Sequence, residues 1–322
     1  MMAKVALLFP GQGAQYPRMA AGLYGHSAPF TATMDRAFAA LGPGGDGLRG
    51  EWLSGAPAEL FDDVTRAQPL LYAVDCALGE VVLDWGVEPV ALLGHSVGEM
   101  AAATLAGVFG LDEGMRLMRD RTEHYARTEP GGMLAVAASA ADLAPHLVGR
   151  VTVAAVNAPR QTLVAGPRAE LDEVARTLRD KGFTCRDVRA RQGFHSPVVD
   201  GAVESSAAAW RSVDLRRPRR TVYSSQLGAE LSPEHAVDPL FWARQPAATV
   251  WFWQALRSML DEDGLVLLEA GPGQGLSSIA RRHPSVRSGR NRVVPLSPPR
   301  PGPPEADREA VRRAADRIGP PR

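Results

Sequence analysis

Val90-Ala91-Leu92-Leu93-Gly94-His95-Ser96-Val97-Gly98 is the stretch on which the fold of this chain turns. The apolar run Val90 to Leu93 reads as a buried strand, and the alanine-rich run from Glu99 to about Leu105 reads as a helix. Between them lies a G-x-S-x-G turn, and strand, sharp turn, helix is the layout of an α/β sheet. Small flanking residues let the backbone bend around the serine, while amides at the start of the next helix face the place where negative charge develops. Taken alone the five residues could be a glycine-rich bend; the strand before and the helix after make it a nucleophile elbow.

Outward from this stretch the same texture recurs. Val5 to Phe9 is a second buried-strand candidate, ended by Pro10-Gly11-Gln12-Gly13. Gln68-Pro69 stands near the start of an apolar-periodic segment, Leu70 to Leu83, and Leu265 to Glu269 is a strand candidate before another Gly-Pro-Gly turn. Between Gly131 and Arg189 the pattern shortens: Met133–Ala138, Val151–Val156, Thr162–Ala165 and Phe183–Val188 read as strands, with helical patterns at Ala141–Leu147 and Ala169–Lys181. Strand, helix, strand, strand, helix, strand is the order of a ferredoxin-like unit. The expected architecture is an α/β-hydrolase-like large domain with a parallel sheet (1–130 and 190–296), an inserted small ferredoxin-like domain (131–189), and a proline-rich C-terminal tail (297–322) in which Glu305 to Ile318 is either a helix or frayed.

Composition agrees with an ordinary globule. Of 322 residues 45% are hydrophobic and 22% charged, and the formal net charge is zero, which gives no global case for nucleic acid or an anionic membrane. Cys76 and Cys185 are far apart and in no metal-ligand spacing, so buried thiols are expected, with no metal and no redox cofactor. Val5 to Phe9 is too short for a signal peptide or a spanning helix, and a cytoplasmic enzyme is the expectation.

A serine hydroxyl needs a base within hydrogen-bond reach. His26, His124, His146, His235 and His283 stand in polar stretches, and His95 would point away from its neighbour. His195, in Gly193-Phe194-His195-Ser196-Pro197, remains as the base candidate; read without the elbow it would be a loop histidine before a proline turn.

These residues resemble the malonyl-CoA:acyl carrier protein transacylases and the acyltransferase domains of polyketide synthases. The resemblance spans about residues 4 to 296 and rests on an ordered set: Phe9-Pro10-Gly11-Gln12-Gly13-Ala14-Gln15, Ala67-Gln68-Pro69, Gly94-His95-Ser96-Val97-Gly98-Glu99, Arg121, Asn157-Ala158-Pro159, Gly193-Phe194-His195-Ser196 and Glu269-Ala270-Gly271-Pro272-Gly273. It implies that Ser96 becomes acylated, that His195 takes its proton, and that the backbone carbonyl of Gln245 orients the imidazole. The amides of Gln12 and Val97 would form the oxyanion hole, and Arg121 would grip the free carboxylate of a malonyl-type group. Phe194 matches the malonyl-selective pattern, and Tyr125, Asn157 and Gln68 fall at positions expected to line the substrate site.

The chain departs from the family in Thr122-Glu123-His124-Tyr125, where small and apolar residues with a methionine are usual, and in Gln192-Gly193 before Phe-His. The resemblance further implies coenzyme A and phosphopantetheine thioesters as substrates and an acyl carrier protein as partner, in polyketide or fatty acid biosynthesis. Carrier proteins are acidic, so Arg216-Arg217-Pro218-Arg219-Arg220 and Arg281-Arg282 are candidate docking patches, although solvated faces explain them equally well. Transfer of an unusual acyl group between carriers, or hydrolysis of acyl-carrier thioesters on the same fold, are the alternatives. An ordinary α/β-hydrolase would instead place its histidine near the C-terminus.

Overall fold

The computed structural model describes residues 4–319; residues 1–3 and 320–322, the outermost parts of the expected large domain and tail, lie outside the described residues. Ten strands occur in chain order: β1 (Lys4–Phe9), β2 (Ala91–Gly94), β3 (Gly131–Val136), β4 (Thr152–Ala158), β5 (Gln161–Pro167), β6 (Cys185–Asp187), β7 (Val222–Ser224), β8 (Ala229–Glu230), β9 (Leu265–Glu269) and β10 (Arg292–Pro295). Six form one sheet in the order β10-β9-β1-β2-β7-β8, parallel throughout except for β8 at its edge. The central strands are apolar on both faces, with Leu7, Leu8, Leu92 and Leu93 fully buried, because helices cover a parallel sheet on either side. This explains why β1, β2 and β9 read in sequence as unbroken apolar runs.

The remaining four strands form an antiparallel sheet in the order β4-β5-β3-β6, backed by the helices Ala140–Leu143 and Arg168–Asp180. Its order and connections are those of a ferredoxin-like unit. The two sheets are joined at one seam, where Val156 N–H donates to Val250 O and Val250 N–H donates to Ala154 O (2.8 and 2.9 Å), so β4 also pairs with a segment of the large sheet's side of the molecule.

The helix expected near Gln68-Pro69 begins earlier, at Val64, and runs to Asp84. Asp63 caps it by accepting from the Thr65 amide at 2.9 Å, which outweighs the boundary signal of Pro69. No helix among the described residues is long and apolar enough to cross a membrane.

Residues 304–318 are a docked helix, not a frayed end. Pro304–Ile318 lies on the 3₁₀ turn Ala21–Leu23, with Ala310 and Ala314 buried. The 7% exposed Asp307 accepts from the Gly22 amide at 2.9 Å, and a Cβ on Gly22 would fall 2.1 Å from the Pro304 carbonyl oxygen. Losing an acceptor for a buried amide costs about 1–3 kcal/mol. Asp307→Ala should therefore shift chemical denaturation by that amount, while Asp307→Asn, which keeps an acceptor, should lose less; an unchanged midpoint in both would mean the contact does not hold the helix.

Candidate active site

The C-terminal ends of β1 and β2 place two loops side by side. Phe9 pairs with Gly94 in register, and the His95 amide donates to the Phe9 carbonyl at 2.9 Å, so the Pro10–Gly13 loop and the elbow leave the sheet together. Ser96 has φ 52°, in the left-handed region that costs an L-residue about 1–3 kcal/mol and that surrounding structure must enforce. Glycine is required on both sides: a Cβ on Gly94 would meet the Glu99 amide at 2.1 Å, and one on Gly98 the Phe9 carbonyl oxygen at 2.2 Å. The helix Gly98–Ala106 then starts with its N-terminus at the serine. Among the described residues, the amides of Gln12 and Val97 make no hydrogen bond to a protein acceptor, which leaves both available to an oxygen at Ser96.

His195 arrives from the other side, on the loop that returns from the antiparallel sheet. It too is left-handed, at φ 60°, and its amide donates to the Pro246 carbonyl at 2.7 Å. Its Nε2 lies 2.7 Å from Ser96 Oγ and its Nδ1 2.6 Å from the Ala248 carbonyl oxygen. A carbonyl only accepts, so Nδ1 carries the proton and Nε2 is free to accept the serine hydroxyl's. Burial drives the imidazole's pKa down to about 4, against the opposing pull of the Ala248 carbonyl, with His95 and Arg121 lowering it further. The ring is neutral at pH 7, as a proton acceptor must be.

Gln245, expected to supply that carbonyl, does something else. Its side-chain Nε2 donates to the Ser96 carbonyl at 2.8 Å, and its own carbonyl is a lesser influence on the imidazole than Ala248's. The reason is local: the helix Pro239–Arg244 ends at Gln245, and a further turn, with Ala248 N–H bonded to Arg244 O, carries the chain on before the carbonyl meets the ring. Ala248 was missed because a backbone carbonyl leaves no residue signature.

Arg121, on the helix Leu111–Tyr125, is 3% exposed and has no carboxylate within ion-pair distance among the described residues. Its Nε and Nη2 donate to Gln68 Oε1 at 3.1 and 2.6 Å, its Nη1 to Met100 Sδ at 2.8 Å, and its guanidinium carbon lies 5.8 Å from the Tyr125 ring centre. Gln68 in turn donates through Nε2 to Gln12 Oε1 at 2.9 Å. The Gln12 side chain therefore has a place in the site besides its loop. A cation taken out of water without a counter-ion is costly, and burial lowers the pKa of this guanidinium.

The cavity that opens on Ser96 and His195 is lined by Gln12, Gln68, His95 and Phe194. Arg121 sits behind Gln68, and Tyr125 meets Phe194 edge to face with ring centres 5.1 Å apart. Burial pushes the Tyr125 phenol up to about 12. Asn157, expected on the substrate, instead presents Oδ1 to His95 Nε2 at 2.8 Å and fixes the residue preceding Ser96.

The proposed docking arginines are elsewhere. The Arg216 and Arg219 amides bond to Val108 and Ala106, at the end of the Gly98–Ala106 helix remote from Ser96, and Arg219 precedes β7. Arg216 is paired with Asp214 at 2.6 Å, and Arg217 is exposed beside it. Arg281 lines a hollow with Val266 and Arg292, near the starts of β9 and β10, and Arg282 donates to Gln161 at 2.7 Å. The 216–220 cluster lies at the strand-start end of the parallel sheet, whereas Ser96 stands at the strand-finish end; Arg282, through Gln161, sits against the antiparallel strand pair whose Ala155 and Leu163 line the cavity on Ser96. Clustering along the chain carries no information about which end of a sheet a cluster occupies.

Residues 6–295 match the family model described as the acyl transferase domain. The chain is 35% identical over 288 residues to a phenolphthiocerol/phthiocerol polyketide synthase protein of Mycobacterium tuberculosis, covering 87% of this chain and 19% of that protein. It is 34% identical over 278 residues to erythronolide synthase EryA2 of Saccharopolyspora erythraea, covering 84% and 8%. The chain thus spans a fifth or less of the length of these relatives. Among solved structures, the acyl transferase domain of SpnD in complex with 2-(pent-4-yn-1-yl)malonyl superposes with a TM-score of 0.90 at 31% identity, covering 99% of this chain and 76% of that one. The malonyl CoA-acyl carrier protein transacylase of Coxiella burnetii shares the fold, at TM-score 0.85 and 22% identity, covering 99% and 98%.

The buried imidazole gives a direct measurement. Its folded pKa lies below the roughly 6.5 of an unfolded histidine, so its contribution to stability is complete above that value and is lost as pH falls toward about 4. The His195 Cε1 proton should titrate in NMR with a midpoint near 4; a midpoint near 6.5 would put the ring in water.

Proposed function

The chain belongs to the acyl transferase domain family, and from that premise we propose that it transfers a malonyl group from coenzyme A to the phosphopantetheine thiol of an acyl carrier protein. In the first half-reaction Ser96 Oγ attacks the thioester carbonyl as His195 Nε2 takes its proton. The resulting oxyanion is met by the Gln12 amide of the loop after β1 and the Val97 amide at the start of the elbow helix, each such donor being worth about 2.7–4 kcal/mol. Collapse expels the coenzyme A thiolate, which receives the proton from His195 and leaves malonyl-Ser96. The carrier thiol then gives its proton to His195, attacks the ester, and Ser96 recovers its hydrogen as the new thioester departs.

One observation carries the choice of acyl group: Arg121 is buried without a counter-ion among the described residues, with Gln68 holding its fork on one edge. A substrate carboxylate supplies the missing charge in bidentate geometry. Phe194 and Tyr125, locked edge to face, occupy space that an α-branch would need, which favours malonyl over methylmalonyl by about 1–3 kcal/mol, the usual value of one methyl in an apolar pocket.

Intact-protein mass spectrometry with malonyl-CoA, methylmalonyl-CoA and acetyl-CoA tests this. A malonyl adduct should form on the wild type and be absent from Ser96→Ala. Arg121→Ala should lower kcat/KM for malonyl-CoA by an amount equivalent to about 2–5 kcal/mol, the cost of breaking a buried charge pair. Acetyl labelling in preference to malonyl would refute the carboxylate assignment, and rapid loss of the adduct to water in the presence of carrier would make the protein a hydrolase.

A further inference from the structure

We propose that Arg189 binds the phosphate at the far end of the pantetheine arm, the group that coenzyme A and a carrier-bound arm have in common; this rests on the reading of the substrates as pantetheine thioesters. The cavity that opens on Ser96 has an apolar wall formed by Met133, Ala155, Leu163 and Val188, and Arg189 is the one charged residue lining it among the described residues. Such a wall suits the methylene and amide chain of pantetheine, and an extended arm holds its phosphate well away from its thiol. The partner of that phosphate therefore belongs at the rim and not beside the serine.

Arg189 is exposed and makes no hydrogen bond or ion pair among the described residues. Its backbone is nevertheless fixed. Val188 N–H donates to the Met133 carbonyl on β3 at 3.0 Å, and Ala190 N–H donates back to the Val188 carbonyl at 2.8 Å, a three-residue turn with Arg189 at its tip. The side chain is thus projected from a pinned corner while its guanidinium stays free, as a ligand for a phosphate requires.

Nearby cations are already engaged or balanced. Ala190 also walls an adjoining hollow that holds Arg168 and Arg191, but Arg168 pairs with Asp172 at 3.5 Å, and Asp63 faces the same hollow. The arginine cluster at 216–220 lies at the opposite end of the parallel sheet, and Arg282 is already engaged by Gln161 at 2.7 Å. Arg189 is left as the uncompensated cation that shares a cavity with the nucleophile.

The test is calorimetric titration of 4′-phosphopantetheine and of pantetheine, which differ only in the phosphate, into the wild type, Arg189→Ala and Arg189→Lys. A charge-assisted contact of this kind gives about tenfold or more in affinity. The wild type should prefer the phosphorylated compound by that factor, Arg189→Ala should bind both alike at unchanged thermal midpoint, and Arg189→Lys should keep part of the preference. Kinetically, Arg189→Ala should raise KM for both malonyl-CoA and the phosphopantetheinylated carrier protein, leaving kcat unchanged. Retention of the phosphate preference in Arg189→Ala overturns the assignment. So does a KM effect confined to malonyl-CoA, which would place the contact on the nucleotide's phosphates. Should malonyl-CoA leave Ser96 unlabelled, the acyl assignment fails, and the titration still decides the role of Arg189.

Discussion

The 2.7 Å contact between Ser96 Oγ and His195 Nε2 is the constraint that organises this molecule. It joins residues 99 positions apart, both held in left-handed backbone that neither side chain favours. Strain of that kind persists only where the surroundings leave no alternative. For Ser96 the surroundings are the close approach of Gly94 and Gly98 to neighbouring backbone; for His195 they are two carbonyls, Pro246 on its amide and Ala248 on its ring. Strands that are fully buried and in register make those positions reproducible, which is what a hydrogen bond across two segments demands.

A second cost is electrostatic. Arg121 is placed in the interior on a helix whose remaining arginines stay closer to water, and its polar partners among the described residues are an amide oxygen and a thioether. The Arg121–Gln68–Gln12 chain converts that cost into geometry. The same glutamine that steadies the guanidinium reaches the Gln12 loop beside the elbow, so the buried charge and that loop are linked through one side chain.

Much of this was legible in the residues. The apolar runs at β1, β2 and β9 show because a doubly covered strand has no polar face to interrupt it. Ser96, His195 and Arg121 were recognised from side-chain type in a motif order. What escaped had no such mark: β7 is three residues long and β10 four, too short for periodicity to declare itself, and Ala248 acts through a backbone oxygen. The arginines at 216–220 fall at the end of the sheet remote from Ser96 for the converse reason, since a conspicuous charge run has no address in the fold until the sheet is assembled. Asp307, which holds the C-terminal helix to the turn at Gly22, looked like one more charge in a polar tail.

The seam between the two sheets has a mechanical corollary. Val250, bonded on both sides to β4, lies two residues beyond Ala248, whose carbonyl fixes the proton on His195. A hinge that swung the antiparallel unit away from the parallel sheet would pull on that carbonyl before it widened the cleft. The β4 edge of the unit is therefore coupled to the carbonyl that fixes the His195 proton, whereas β6 and the loop bearing Arg189, at the opposite margin, carry no such tie among the described residues.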